Sequence, residues 1–281
     1  MKTTKSVVFV FLMATILSAC ANSPERVAHP LISPVLNRIL QRGMLTVGTT
    51  GKQPPLNSMD KQGNVIGLEA DLARLMAGAL GIKVSFLTMP FSDLLQALET
   101  DKVDMVISGM TITPERNSKV AFAGAYFVSG KSFVTKAQTI TPLKDPAQIN
   151  RPETILAVLK GSTSQIFVEN VIPKAKCILA EDHQEALQLV LEGKAHAMIA
   201  DHHVCILSVL LFPEQNLVTL EKPLTYEPFG IALPRNDPLL VNLVENFLGT
   251  LEGSGDLEKL RRRWFKEAVW GKETLRDAIQ F

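Results

Sequence analysis

Residues 104–127 read DMVISGMTITPERNSKVAFAGAYF, and the chemistry of this stretch governs the reading of the whole chain. Residues 103–107 form a short apolar strand and 108–112 a loop. Thr113-Pro114-Glu115 then start a helix: the threonine caps it, the proline presets φ, and the acid matches the helix dipole. Arg116 falls on the third helical position. An arginine there, beside Thr111 and unpaired backbone N–H groups, can grip a planar carboxylate through two parallel charge-assisted hydrogen bonds. A surface arginine on a short helix has the same local pattern, so the rest of the chain has to decide.

Outward from this stretch, strand-like and helix-like segments alternate, which argues for parallel sheets covered by helices. Residues 44–49 form a strand, and 69–80 a helix with Leu72, Leu75, Met76 and Ala79 on one face and Gly81 as its stop. Residues 83–87 are the next strand, and Ser92 caps a helix with Leu94, Leu95 and Leu98 inward. A second α/β unit follows residue 135. It has strands at 154–159, 176–180 and 195–200, a helix at 165–171 opened by Gly161-Ser162-Thr163-Ser164, and another from the Asp182/Glu185 capping pattern to Gly193. A strand at 229–233 precedes helices starting at Asp237-Pro238 and at Asp256, the last bearing Leu257, Leu260 and Trp264.

The N-terminus carries Lys2 and Lys5, an apolar run over 7–17, and Leu17-Ser18-Ala19-Cys20. A charged start, a short apolar stretch and small residues before a cleavage point describe a secretory signal. Leu-Ser-Ala-Cys also resembles the bacterial lipoprotein box, which implies a lipidated Cys20 holding a soluble body at a membrane. Residues 21–34 read as a tether, and no later run is apolar for the length of a membrane span. The longest, 204–212, has the length of a buried core helix. The formal charge is +1, and removing the two signal lysines leaves −1, so nothing recommends nucleic acid as a partner. Cys177 and Cys205 read as two buried thiols in preference to a disulfide.

Seven segments between about residues 42 and 265 carry a resemblance: MLTVGTTGKQPPLNSMD, GLEADLARLMAGALG, FSDLLQALETDKVDMVISGMTITPER, LKGSTSQ, HAMIADHHV, FGIALPRNDPLL and LRRRWF. In this order and at these spacings the chain resembles the bacterial extracellular solute-binding proteins of family 3, which serve polar amino acid uptake. The resemblance implies an α/β, two-lobed periplasmic-binding-protein fold of type II. Each lobe would be a mostly parallel sheet flanked by helices, joined to the other by two hinge strands. The organisation then becomes 1–19 signal peptide; 20–42 lipidated tether and first helix; 43–126 with 230–281 the discontinuous first lobe; 131–225 the second lobe; 126–130 and 226–230 the hinge. Ligand would bind between the lobes and closure would be a hinge motion.

A receptor for free amino acids needs a fixed cation with donors for the α-carboxylate and, a few ångströms away, a fixed anion for the α-ammonium. By resemblance Arg116 is that cation and Asp201 that anion, with Gly109 and Thr111 assisting. Ser162 and Thr163 bring hydroxyls and N–H groups at a helix start on the other lobe. Asp201 also reads as a cap for the helix after it, and Ser162 and Thr163 as caps for theirs. Where many relatives have an aspartate and an aromatic residue after the first strand, this chain has Thr50 and Gln53. Phe91, Leu159 and Ala200 match pocket-lining positions. Without the carboxylate at position 50 the pocket has less reason to prefer a cationic side chain. Glu69 and Asp71 read as first-turn acids matching a helix dipole.

His202, His203 and Cys205 are adjacent but lack a second ligand pair with zinc-site spacing, and Arg261-Arg262-Arg263 reads as a solvated face. The leading expectation is therefore a non-enzymatic, monomeric, lipid-anchored binding protein in the periplasm or cell envelope. It would need no metal or cofactor, and would hand a polar amino acid to an ABC permease. Two other functions fit the resemblance: a lyase like the cyclohexadienyl dehydratases, with His202 or His203 as the general acid such chemistry needs, or a sensory ligand-binding lobe.

Overall fold

The computed structural model of the chain describes residues 33–137 and 149–266. The signal segment, Cys20 and most of the tether lie outside the described residues. Helix α1 (Pro34–Arg42) leads into strand β1 (Met44–Thr49). Short strands β2 (Lys52–Gln53), β3 (Asn57–Met59) and β4 (Val65–Ile66) make a small antiparallel sheet before helix α2 (Leu68–Ala79) and strand β5 (Lys83–Thr88). Helix α3 (Leu94–Glu99), strand β6 (Met105–Val106) and the one-turn helix α4 (Pro114–Asn117) follow, then strand β7 (Ala121–Ser129). Strands β8 (Lys131–Lys136) and β9 (Ile155–Leu159), helix α5 (Thr163–Val171), strand β10 (Lys176–Ala180) and helix α6 (His183–Leu191) come next. They are followed by strand β11 (Ala197–Asp201) and helix α7 (His202–Leu211). Strands β12 (Leu217–Thr219) and β13 (Glu227–Leu233) and helices α8 (Pro238–Gly253) and α9 (Asp256–Phe265) complete the described chain.

Two sheets of five strands organise these elements, in the orders β5-β1-β6-β13-β7 and β10-β9-β11-β8-β12. Each begins with three parallel strands and ends with two antiparallel ones. The parallel strands are the apolar runs that sequence periodicity finds. β11 is buried at every position, as expected of a strand covered on both faces by helices. The antiparallel pairs contain the chain's two crossings between the sheets. β7 leads through Gly130 into β8, and β13 returns beside it with Glu227 paired to Ser129 and Phe229 to Phe127. Gly130 is required here by close approach, since a Cβ on it would fall 1.9 Å from the Thr225 carbonyl oxygen. This is the α/β periplasmic-binding fold of type II.

Several local expectations are revised. On α2 the buried stripe is Leu68, Leu72, Ala73, Met76 and Ala77, while Leu75 and Ala79 face outward. The helix is turned so that Leu68, Ala73 and Ala77 share the buried face with Leu72 and Met76. Ser92 is not a cap: it lies in a 3-10 turn (Phe91–Asp93) and donates to Asp93 Oδ1 at 3.0 Å. The apolar run of α7 is only half covered, with Val204, Cys205, Ser208 and Leu211 inside and Ile206 and Leu210 exposed. Cys177 and Cys205 are both free thiols, but Cys177 is only half-buried, on a strand at the sheet edge.

Candidate functional site between the sheets

Each parallel strand delivers its functional residue at its carboxyl end, where the two sheets face each other. The loop after β6 carries Gly109 and Thr111, and Thr113 then caps α4 by accepting from the Arg116 N–H at 3.2 Å. The Arg116 side chain turns inward and is 8% exposed. Its guanidinium donates to the Thr111 carbonyl at 3.0 Å and to the Gly161 carbonyl, from the opposite sheet's loop, at 3.1 Å. The guanidinium carbon also lies 5.6 Å from the centroid of the Phe91 ring. No carboxylate stands within ion-pair distance of Arg116 among the described residues. Burial lowers its pKa from the usual arginine value, opposed by Asp201 first and Glu227 next.

Asp201 ends β11 and occupies the cap position of α7, yet its side chain makes no cap hydrogen bond. The capping expectation fails because a nearer cation takes the carboxylate: Lys131 Nζ donates to Asp201 Oδ1 at 2.7 Å. β8 and β11 are paired so that Lys131 stands directly beside Asp201. Lys131 is 1% exposed, and its ammonium also lies 3.7 Å from Glu227 Oε2. Glu227 is itself buried and accepts from Thr163 Oγ1 at 3.2 Å and from Thr225 Oγ1 at 3.1 Å. Burial acts to raise the Asp201 pKa, but Lys131 and then His203 outweigh it and hold the carboxyl below its usual range. The floor of the cleft thus carries two cations, Arg116 and Lys131, against two carboxylates, Asp201 and Glu227.

The threonine and serine positions divide. Thr111 and Thr163 approach each other across the cleft with hydroxyls 3.3 Å apart. Ser162 caps α5: its hydroxyl donates to the Leu159 carbonyl at 2.6 Å and accepts from the Gln165 N–H at 3.3 Å. Gly109 has a positive φ of 56° and donates its N–H to the buried Glu69 carboxylate at 2.6 Å. Glu69 is therefore more than a first-turn acid, because it also accepts from Asn57 Nδ2 and Tyr126 Oη and so holds the loop that carries Thr111. Burial raises its pKa, against the lowering effect of these donors. Asp71 has a different use, accepting from the Trp264 indole at 2.8 Å.

A cavity of about 220 Å³ opens beside this floor. Thr50, Gln53 and Phe91 line it from one side and Leu159 and His183 from the other, with Lys52 and Asp182 joined at 2.7 Å where the sides meet. Thr50 Oγ1 donates to Asn57 Oδ1 at 2.8 Å. Gln53 Nε2 lies 3.4 Å from His183 Nε2 across the cleft.

His203, considered above as a general acid, turns away from the cleft. Its Nδ1 is 3.1 Å from Ser129 Oγ, and its ring packs edge-on against Phe127, Phe229 and Phe265. Burial pushes its pKa down to about 4. Cys205 is buried, lies 3.9 Å from the Ala200 carbonyl, and has its thiol pushed up to about 12 by burial. Sequence reasoning missed Lys131, Glu227 and His183. The first two sit on the crossing strands, and His183 follows the Asp182 cap of α6; only strand pairing and lobe contact bring them to the site.

The family model of the bacterial extracellular solute-binding proteins, family 3, matches residues 45–267. Cyclohexadienyl dehydratase of Pseudomonas aeruginosa is 28% identical over 231 residues, 82% of this chain and 86% of that protein. The ABC transporter glutamine-binding protein GlnH of Bacillus subtilis is 28% identical over 208 residues, 73% of this chain and 74% of that protein. Among solved structures, the ancestral amino acid-binding protein AncCDT-1, a precursor of cyclohexadienyl dehydratase, superposes with a TM-score of 0.76 at 37% identity, covering 82% of this chain and 99% of that one. With two mixed sheets facing each other across a charged cleft, and the family model matched over most of its length, the chain belongs to the bacterial extracellular solute-binding proteins, family 3.

Proposed function

We propose that this protein captures a polar amino acid in the cleft between its two sheets and delivers it to an ABC permease. The family implies export, solute binding and a permease partner. Acyl groups on Cys20 anchor the exported chain at the membrane. The observation that carries it is Arg116: a buried guanidinium with no carboxylate in ion-pair distance among the described residues, held at the cleft by two carbonyls from opposite sides. An incoming α-carboxylate supplies the missing counter-charge, with the Thr111 hydroxyl as a further donor. The α-ammonium then lies against Glu227 and the edge of Asp201 that Lys131 leaves uncovered. Residues 43–126 with 230–281 and residues 131–225 act as the two lobes, and bending at 126–130 and 226–230 opens the cleft.

Thermal unfolding in the presence of each common amino acid tests this. A ligand at 100 times its dissociation constant raises stability by about 2.7 kcal/mol. The proposal expects such a shift in the wild type and none with Arg116→Ala. An unchanged ligand shift in that variant would contradict it.

Similarity to cyclohexadienyl dehydratase favours one second reading, a lyase acting on a carboxylated substrate in the same cleft. His203 is a poor acid for it, being buried, neutral and directed at the hinge. Lys131 and Glu227 are the titratable groups placed for such a role. Turnover of prephenate or arogenate by the wild type, lost with Glu227→Gln, would establish the lyase and displace the transport reading.

A further inference from the structure

We infer that Lys52 and Asp182 form a latch at the mouth of the cleft, a pair of positioning residues that slows the escape of bound solute by holding the two sides together. The inference rests on the proposed amino acid site and concerns how long that site keeps its occupant, whatever side chain the occupant carries.

Lys52 lies on β2 and Asp182 at the start of α6, on opposite sides of the cleft. Lys52 Nζ donates to Asp182 Oδ2 at 2.7 Å, and both residues line the cavity of about 220 Å³. The next residue on each side, Gln53 and His183, is buried, whereas the Lys52 side chain is 63% exposed. The ion pair therefore stands on the solvent side of the contact between Gln53 and His183, at the outer rim of the cavity.

Each partner is placed by its own side of the cleft. Asp182 divides its carboxylate: Oδ1 accepts from the Glu185 N–H at 2.8 Å and so caps α6, while Oδ2 takes Lys52. Glu185 reaches back in turn, its carboxylate accepting from the Glu181 N–H at 2.7 Å. On the other side, the Lys52 N–H donates to Thr50 Oγ1 at 3.3 Å, and β2 pairs with β3 so that Lys52 stands opposite Ser58. Only the lysine side chain has freedom to lose on pairing, so the contact keeps more of its attraction than one between two mobile side chains. Burial acts to raise the Asp182 pKa, but the hydrogen bonds from Lys52 and then from Glu185 outweigh it and keep the carboxyl below its usual range.

Arg116 with the Gly161 carbonyl and Thr111 with Thr163 also join the two sides. An arriving α-carboxylate competes for the Arg116 guanidinium and the Thr111 hydroxyl, so those contacts change when solute binds. Lys52 and Asp182 belong to neither contact. Their pair forms only when the sides meet and has to break before they part. It weights the closed arrangement alone, and its effect falls on release rather than capture.

The test follows release of each of the twenty common L-amino acids, radiolabelled and chased with unlabelled excess, from the full chain in detergent. For every one that binds, Lys52→Met and Asp182→Asn should each speed release about threefold and leave association unchanged. Asparagine keeps an oxygen for the α6 cap, and unchanged association reports that both variants are folded. The double variant should also release about threefold faster and not about ninefold, because the two side chains act as one interaction. Salt at about 1 M should bring the wild type up to the variants. Lys160→Met breaks the pair with Glu181 at 3.0 Å, within one side of the cleft, and so removes the same charge without crossing it; release should not change. Unchanged release in either single variant, factors that multiply in the double, or an equal effect from Lys160→Met overturns the latch and leaves the transport reading standing. Failure of the wild type to bind any amino acid overturns both.

Discussion

Acid should loosen this protein through His203 between pH 6.5 and 4. The ring is enclosed by Phe127, Phe229 and Phe265 with one hydrogen bond, to Ser129, and burial pushes its pKa down to about 4 against an ordinary value of 6.5. Asp201 opposes the shift, while His183, Lys131 and His202 add to it. In the unfolded chain the imidazole takes up a proton below pH 6.5, which the folded chain refuses until about pH 4. Stability is therefore present in full above the unfolded value and is lost as the pH falls across this window. At about 1.36 kcal/mol per pKa unit the loss is about 3 kcal/mol. Asp201 behaves differently: its lowered folded pKa places its own loss below pH 3.8, outside the window. His203→Asn keeps a partner for Ser129 and removes the titration, at a packing cost of about 2 kcal/mol. Urea unfolding at half-unit steps from pH 7 to pH 4 should show the variant weaker by about 2 kcal/mol at neutral pH and the difference moving by about 3 kcal/mol in its favour towards pH 4, so that the variant ends about 1 kcal/mol the more stable. Parallel pH profiles for the two proteins would refute the placement of a neutral imidazole at the hinge.

Lys131→Met should cost about 3–5 kcal/mol in denaturant unfolding, because it strands Asp201 and Glu227 in a buried site; a cost below 1 kcal/mol would mean that the lysine does not pair there. Gly130→Ala brings a methyl against the Thr225 carbonyl and should destabilise by about 1–3 kcal/mol, read as a lowered melting temperature, whereas the same change at Gly78, where a Cβ meets nothing within 4 Å, should be harmless or mildly stabilising. Of the two described thiols, half-buried Cys177 should react readily with a maleimide in the native state and buried Cys205 only on unfolding; equal rates for both would contradict the burial of α7 on its sheet.

The parallel strands, their covering helices and the Arg116 turn were legible because each rests on local chemistry. Apolar runs such as ILAVL at 155–159 have to be buried, and Thr113-Pro114-Glu115 can hardly be anything but a helix start. What stayed hidden depends on pairing between distant segments. Lys131 opens a strand, KSFVTK, that is polar at both ends and looks solvent-facing until β11 places Asp201 beside it. Glu227 begins a strand rich in apolar residues, and its burial follows from the crossing beside Ser129. His183 looks like an ordinary first-turn residue, and only its position beside Gln53 from the other side brings it to the cavity. Glu69 was legible as a helix acid, but its grip on Gly109 is not visible over a separation of 40 residues.

The most direct test of the central claim is calorimetric titration of the tightest-binding amino acid into wild type and Arg116→Met. If the buried guanidinium supplies the charge that the α-carboxylate needs, the variant should lose about 3–5 kcal/mol of binding free energy, about 150-fold to about 4,000-fold in affinity, with its unfolding midpoint in the absence of ligand little changed. Binding by Arg116→Met within threefold of the wild type would place the carboxylate elsewhere and remove the basis of the account.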